Sequence, residues 1–214
     1  MDLGRWLSAG WGIIKEDILT FAVASLVVVL LSMITFGLLG PAMQCGLFMM
    51  AYRKMTYGQV EIGHVMEGTR RFVPALLAAL ILLIPVVALY AICYGPTFVI
   101  QMGTPDDRAA LAIANVWQMV SSTVLFALLY GAVLFALPHI AARNVGPVDA
   151  LTASYEVFRR NILMFAVTGF LFSLISSLGG LACCIGVFVS MPFIAAAQAQ
   201  AYADHFGIAG FDAV

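Results

Sequence analysis

Long apolar runs, separated by gaps of which alternate ones carry the basic residues, constrain this chain more than any other feature. Arg5, Lys15, Arg53, Lys54, Arg70, Arg71, Arg143, Arg159 and Arg160 lie between or beside the runs on one side; of the 10 basic residues only Arg108 lies elsewhere. Lysine and arginine accumulate in the cytoplasmic loops of membrane proteins. The pattern therefore predicts an all-α, polytopic membrane helical bundle, with the basic gaps and both termini in the cytoplasm. Composition agrees: the chain is 63% hydrophobic and 10% charged, whereas a soluble domain carries about 25% charged residues.

A membrane-crossing helix needs about 20 mainly apolar residues. The expected crossings are Ile18 to Phe36, Ala42 to about Tyr57, Phe72 to Tyr94, Ala109 to about His139, Ile162 to Leu178, and Ile185 to Tyr202. Gly37, Gly40 and Pro41 break the first pair, and Pro41 suits a helix start. The run from 42 to 57 is short enough to be re-entrant, but Lys15 and Arg53-Lys54 must share a side, so the chain goes out and returns. Pro85 predicts a kink, residues 95 to 108 an outer loop, and Gly179-Gly180 a tight turn. The first run is expected to stay on the chain, because it is too long for a signal peptide and no cleavage site follows it. The six crossings form three hairpins, about 17–57, 72–139 and 161–204, in a single domain spanning 1–214.

Before each hairpin comes an amphipathic stretch, about 2–15, 60–71 and 147–160. Leu3, Trp6-Leu7 and Ile14 make the first stripe; Ile62, Val65-Met66, Thr69 and Phe72 the second; Val148, Leu151, Tyr155, Phe158 and Ile162 the third. Spacings of three and four line one helix face. Trp6, Trp11 and Tyr155 carry rings that favour the headgroup zone. Two readings stand: interfacial helices on the inner leaflet, or cytoplasmic extensions of the crossings. The segment from Ile18 to Val23 is similar to that from Ile162 to Val167, with Trp11 matching Tyr155 and Lys15 matching Arg159. This suggests that the first and third hairpins are related by a parallel duplication.

Chemistry-bearing motifs are sparse. The acidic residues, Asp2, Glu16, Asp17, Glu61, Glu67, Asp106, Asp107, Asp149, Glu156, Asp204 and Asp212, all fall in loops or near helix ends. His64 falls in an interfacial stretch, and His139 and His205 at cytoplasmic ends. No paired carboxylates, His-x-x-x-His, G-x-S-x-G elbow or P-loop occurs, so the expectation is no enzyme, no metal and no cofactor. No basic patch is paired with reading or stacking residues, so no nucleic-acid partner is expected. Cys45, Cys93, Cys183 and Cys184 sit in apolar context, and Cys183–Cys184 lacks further ligands at zinc spacing. Asn115, Gln118 and Ser122 share a helix face. That face either lines a polar path or packs against polar groups such as Gln44 or Gln198 across the bundle. Gly131, Gly169, Gly179, Gly180, Gly186 and Ala195-Ala196-Ala197 suit close helix approach. Arg70, Arg71, Arg159 and Arg160 either contact anionic headgroups or simply set topology.

Gly37 to Gly46, Tyr52-Arg53-Lys54 and Glu67 to Phe72 resemble a group of bacterial multi-pass membrane proteins of no agreed activity. So do Ala153 to Asn161, Cys184-Ile-Gly186, Pro192 and Ala199 to Tyr202. That group is similar to the membrane domain fused to some glycerophosphoryl diester phosphodiesterases. The resemblance runs from about Gly10 to Gly207 and implies a six-helix membrane domain with no catalytic residues of its own. The functional expectation is a non-enzymatic protein acting through lipid contacts, anionic lipids included, or through a membrane-protein partner, itself a candidate homo-oligomer. A channel or facilitator for a small solute is the alternative.

Overall fold

A computed structural model describes residues 3–103, 107–181 and 186–207. Asp2, Asp106, Cys183, Cys184 and Asp212 lie outside them. The described chain is all-helical: α1 Leu3–Lys15, α2 Ile18–Ile34, α3 Gly40–Tyr57, α4 Gly63–Glu67, α5 Phe72–Gly103, α6 Arg108–Val133, α7 Ala136–Arg143, α8 Pro147–Arg160, α9 Ile162–Leu181 and α10 Val187–Phe206. A 3-10 turn, Gly68–Arg71, joins α4 to α5. Three stretches are long and apolar enough to cross a membrane: Gly63–Gly103, Arg108–Arg143 and Ile162–Gly180. The α1–α2 pair, bent by 95° at its break, makes a fourth if counted as one broken span. The chain is thus a membrane-embedded helical protein.

The helices repeat in threes. Each unit is an opening helix followed by two longer ones: α1–α2–α3, then α4 with its 3-10 turn, α5 and α6–α7, then α8–α9–α10. Each opening helix docks on the closing helix of another unit: α4 and the turn on α3, α8 on the α6–α7 end, and α1 on α10. The middle helices follow the same rule, α5 on α3, α9 on α6 and α2 on α10. The three units therefore form a ring in which the last closes on the first. α3 meets both α10 and α7 inside it.

The two segments expected to be related by duplication, α1–α2 and α8–α9, share a pattern of burial. The step from Leu3 to Pro147, the starts of α1 and α8, is also the step from Ile18 to Ile162, the starts of α2 and α9. It carries the buried positions Trp6, Gly10, Ile14, Phe21, Ala24 and Val28 onto the buried positions Ala150, Ser154, Phe158, Phe165, Thr168 and Phe172.

Small residues set the crossings. A Cβ at Gly46 would lie 2.1 Å from the Val65 carbonyl oxygen, and one at Gly68 2.2 Å from that of Ala42. On α6 and α9, Cβ atoms at Gly131 and Gly169 would lie 2.5 Å and 2.4 Å from the carbonyl oxygens of Phe165 and Ala127. These are the close backbone approaches that membrane helices use to pack. Among the long helices α3 and α10 are the most enclosed. Surrounded by protein rather than lipid, they tolerate Gln44, Gln198 and a run of alanines, and so are less apolar than α2, α5 and α9.

Several local expectations are corrected. The helix runs through Gly95-Pro96 to Gly103 instead of looping after Tyr94. Pro96 has no N–H for the Ile92 carbonyl four residues back, and the Trp117 Nε1–H donates to that oxygen instead at 3.2 Å. The fourth crossing is interrupted between Val133 and Ala136, because Pro138 cannot bond the Leu134 carbonyl. There the Ser154 hydroxyl donates to the Ala132 carbonyl (2.7 Å) and accepts from the Phe135 N–H (3.1 Å). Gly179-Gly180 stays helical within α9, with Gly179 packed so tightly on Ser190 that a Cβ would lie 2.3 Å from its hydroxyl. From Gly63 the second amphipathic stretch runs on into α5, as the second of its two readings expected. Of the three rings expected near the headgroups, Trp6 is fully buried against protein, whereas Trp11 and Tyr155 are exposed. On α8 the enclosed face is Ala150, Ser154 and Phe158, while Val148 and Tyr155 of the expected stripe point outward.

Candidate functional site

Two features stand out: a central cavity, and a histidine-bearing aromatic cluster at the charged end of the bundle. The cavity has a volume of about 620 Å³ and lies among α3, α5, α6–α7, α9 and α10. The break at Leu134 widens it, since α6 and α7 part there, and Leu134, Ala136, Leu137 and Pro138 all reach its wall. Phe48, Leu82, Phe172, Met191 and Ile194 supply the remaining bulk, and Ala78 and Ala79 leave room on the α5 side.

Its polar groups come from four helices: Gln44 on α3, Tyr130 on α6, Ser173, Ser176 and Ser177 on α9, and Gln198 on α10. Ser173 donates to the Gly169 carbonyl at 2.9 Å, leaving its oxygen free to accept. Among the described residues no hydrogen bond engages the carboxamides of Gln44 and Gln198 or the hydroxyls of Tyr130, Ser176 and Ser177. Among the described residues its lining contains no acidic, basic or histidine side chain. Its chemistry is therefore neutral donation and acceptance within a mainly apolar wall, the general character of small-molecule sites.

Two shallower grooves adjoin the cavity. One, about 450 Å³, runs along α2 past Val28, Val29, Ser32, Met33 and Phe36, and shares Gln44 and Met191 with the cavity. The other, about 260 Å³, lies between α6 and α9 and shares Ser173 and Ser177 with it.

The face expected to line a polar path is not in the cavity. Asn115 is exposed, Gln118 half-exposed, and Ser122 lines the α6–α9 groove, donating to the Met119 carbonyl at 3.2 Å. The cavity's own carboxamides, Gln44 and Gln198, were visible in the sequence only as groups that such a face could meet. The sequence signal that could have found them is their position on two long helices less apolar than α2, α5 and α9.

Charge is organised at helix ends. The Arg53 guanidinium makes a two-pronged pair with Glu67 at 3.0 and 2.7 Å, the stronger geometry for such pairs. Lys54 bridges Glu16 (3.4 Å) and Asp17 (2.5 Å), and Arg5 pairs with Asp204. Arg143 donates to the Phe206 carbonyl at 3.0 Å. Arg70, Arg159 and Arg160 are exposed and Arg71 is half-buried, with its positive charge near the Cys45 thiol. Beside these pairs, Trp6 donates its Nε1–H to Asp204 at 2.7 Å, and its ring packs against Phe165 and His205. The His205 Nδ1–H donates to the Ala201 carbonyl at 2.9 Å, and Nδ1 of His139 meets the Tyr202 hydroxyl at 3.0 Å. The sequence placed these histidines at helix ends but did not bring them to Trp6. Among the described residues, no three His, Cys, Asp or Glu side chains are placed to hold a metal ion.

No protein-family model, curated protein or solved structure matches the chain.

Proposed function

We propose that this chain is a non-enzymatic protein of the bacterial inner membrane that acts through lipid-like contacts, with the central cavity as its binding site. The observation that carries this is the set of unpartnered neutral groups on the cavity wall: Gln44, Gln198, Tyr130, Ser176 and Ser177. Within a bilayer such groups have no water to pair with, and a polar group left without a partner there costs free energy. An arrangement that brings so many of them to one cavity is supported best by a bound molecule that satisfies them. The absence of acid, base and histidine from the lining favours binding over chemistry.

In this reading α2, α3, α5, α6–α7, α9 and α10 make six crossings as three outward hairpins, with both termini in the cytoplasm. Supporting it, the ion pairs between elements involve the start of an outgoing helix or the end of a returning one: Glu16 and Asp17 with Lys54, Glu67 with Arg53, and Arg5 with Asp204. Arg70, Arg71, Arg159 and Arg160 then face the anionic inner leaflet. The 95° turn between α1 and α2 suits a helix leaving the plane of that leaflet.

The test has two arms. Mass spectrometry of the purified protein should show a retained small molecule that is lost from Ala79→Trp, which fills the cavity from the α5 side. Single-cysteine labelling at Arg53 and Arg159 should place both on the cytoplasmic face. Labelling on opposite faces refutes the crossings, and a retained molecule indifferent to Ala79→Trp refutes the site. The solute-facilitator alternative would have to use this same cavity, since Asn115, Gln118 and Ser122 lie outside it.

A further inference from the structure

We infer that the cavity takes an amphiphile with one apolar chain and an uncharged, hydrogen-bonding head, its chain reaching the bilayer through the gap between Gln44 and Met191. This rests on the cavity reading above and adds the class of ligand and its route.

The head is assigned from the lining. Carboxamides and hydroxyls donate and accept, and so match a hydroxyl- or amide-bearing group. A phosphate or carboxylate would find no cation there. An uncompensated charge in an apolar, lipid-enclosed site is strongly disfavoured. The chain is assigned from the groove along α2. It is walled by Val28, Val29, Met33 and Phe36, and only Gln44 and Met191 belong to both spaces. Those two side chains form the boundary, and methionine is the most adaptable apolar residue for such a place. A head bonded at Gln44 therefore has its tail directed along α2. The volumes, about 620 Å³ for the cavity and 450 Å³ for the groove, suit one chain with a small head rather than two chains.

Three radiolabelled probes share one oleoyl chain: monooleoylglycerol, uncharged; oleate at pH 9, singly charged; and oleoyl lysophosphatidate, carrying a phosphate. Each is equilibrated with the full chain in nanodiscs. Monooleoylglycerol is expected to bind saturably at one per chain. Oleate and lysophosphatidate should bind about 100-fold more weakly, the penalty of one buried charge. Gln44→Leu with Gln198→Leu should weaken monooleoylglycerol at least tenfold, and Met191→Trp, which plugs the boundary, should abolish its binding. Equal or tighter binding of a charged probe, still lost in Ala79→Trp, overturns the inference but leaves the cavity as a site. Binding of no probe, or binding that Ala79→Trp leaves untouched, overturns both. Unchanged binding in a folded Met191→Trp overturns the route. The comparison of heads uses the unaltered chain and so stands even where a variant fails to fold.

Discussion

Alanine at Gly131 puts a methyl group 2.5 Å from the Phe165 carbonyl oxygen and 2.8 Å from its carbonyl carbon. Both neighbours are backbone, so no side chain can rotate away. Restoring an ordinary contact of about 3.4 Å requires α6 and α9 to separate by roughly 0.9 Å. A gap of that size forfeits about a quarter to a half of each van der Waals contact across it. With some forty atom pairs of about 0.15 kcal/mol each at such a crossing, the loss is about 1.5–3 kcal/mol. The alanine recovers up to about 1 kcal/mol in helix propensity, so the net cost is about 0.5–2 kcal/mol, or roughly 1–6 °C in Tm at about 2–3 °C per kcal/mol for a chain of this size. Gly180→Ala is the control, on the same helix pair but with no atom within 4 Å of its added Cβ; it should melt at or slightly above the parent. Gly131→Ala with Gly169→Ala should cost less than the two singles together, because helices already parted by the first methyl accommodate the second. The assay is thermal unfolding in detergent followed by size-exclusion fluorescence. Equal melting of Gly131→Ala and Gly180→Ala would show that α6 and α9 do not approach as described.

Ser154→Ala strips two hydrogen bonds from the break in the fourth crossing and leaves the Phe135 N–H buried and unpaired; a loss of about 1–3 kcal/mol is expected in the same melting assay, and no loss would mean that the break is satisfied in another way. Trp6→Phe keeps the ring stacked on Phe165 but removes the donor to Asp204, for about 1–2 kcal/mol, whereas Trp11→Phe, on the exposed side of α1, should be near neutral; a reversed order would place α1 the other way round. A permuted chain that begins at α8 and joins the end of α10 to α1 by a flexible linker should fold with a Tm within a few degrees of the parent, since Arg5 already reaches Asp204; aggregation of that permutant would contradict the closed ring.

The sequence carried the repeated unit plainly, because an amphipathic stretch, a long helix, a break and a second long helix are each local. The contacts at Gly131, Gly169, Gly179 and the Ala195-Ala196-Ala197 run were legible for the same reason: small residues have few other uses in a lipid-embedded helix. What periodicity misjudged was direction. On α8 the apolar side chains Val148 and Tyr155 point out and the small or polar Ala150 and Ser154 point in. Around a membrane bundle apolar residues have two destinations, lipid and core, so a stripe does not name its partner. The passage of α5 through Pro96 was illegible because its cure, Trp117, lies on another helix. The cavity was hidden likewise: Gln44 and Gln198 are far apart in the chain, and only docking brings their helices together.

The order of docking bears on how such a molecule is made. Trp6 and Arg5 leave the ribosome well before the carboxylate they share, which is 198 and 199 positions downstream. At about 5–20 residues per second, that interval is tens of seconds. Throughout it the nascent protein is an open crescent, with the inner side of α1 uncovered. A message cut short before Asp204 would leave that crescent permanently unlatched, and its exposed tryptophan is a mark by which quality-control proteases could tell the unfinished product from the finished one.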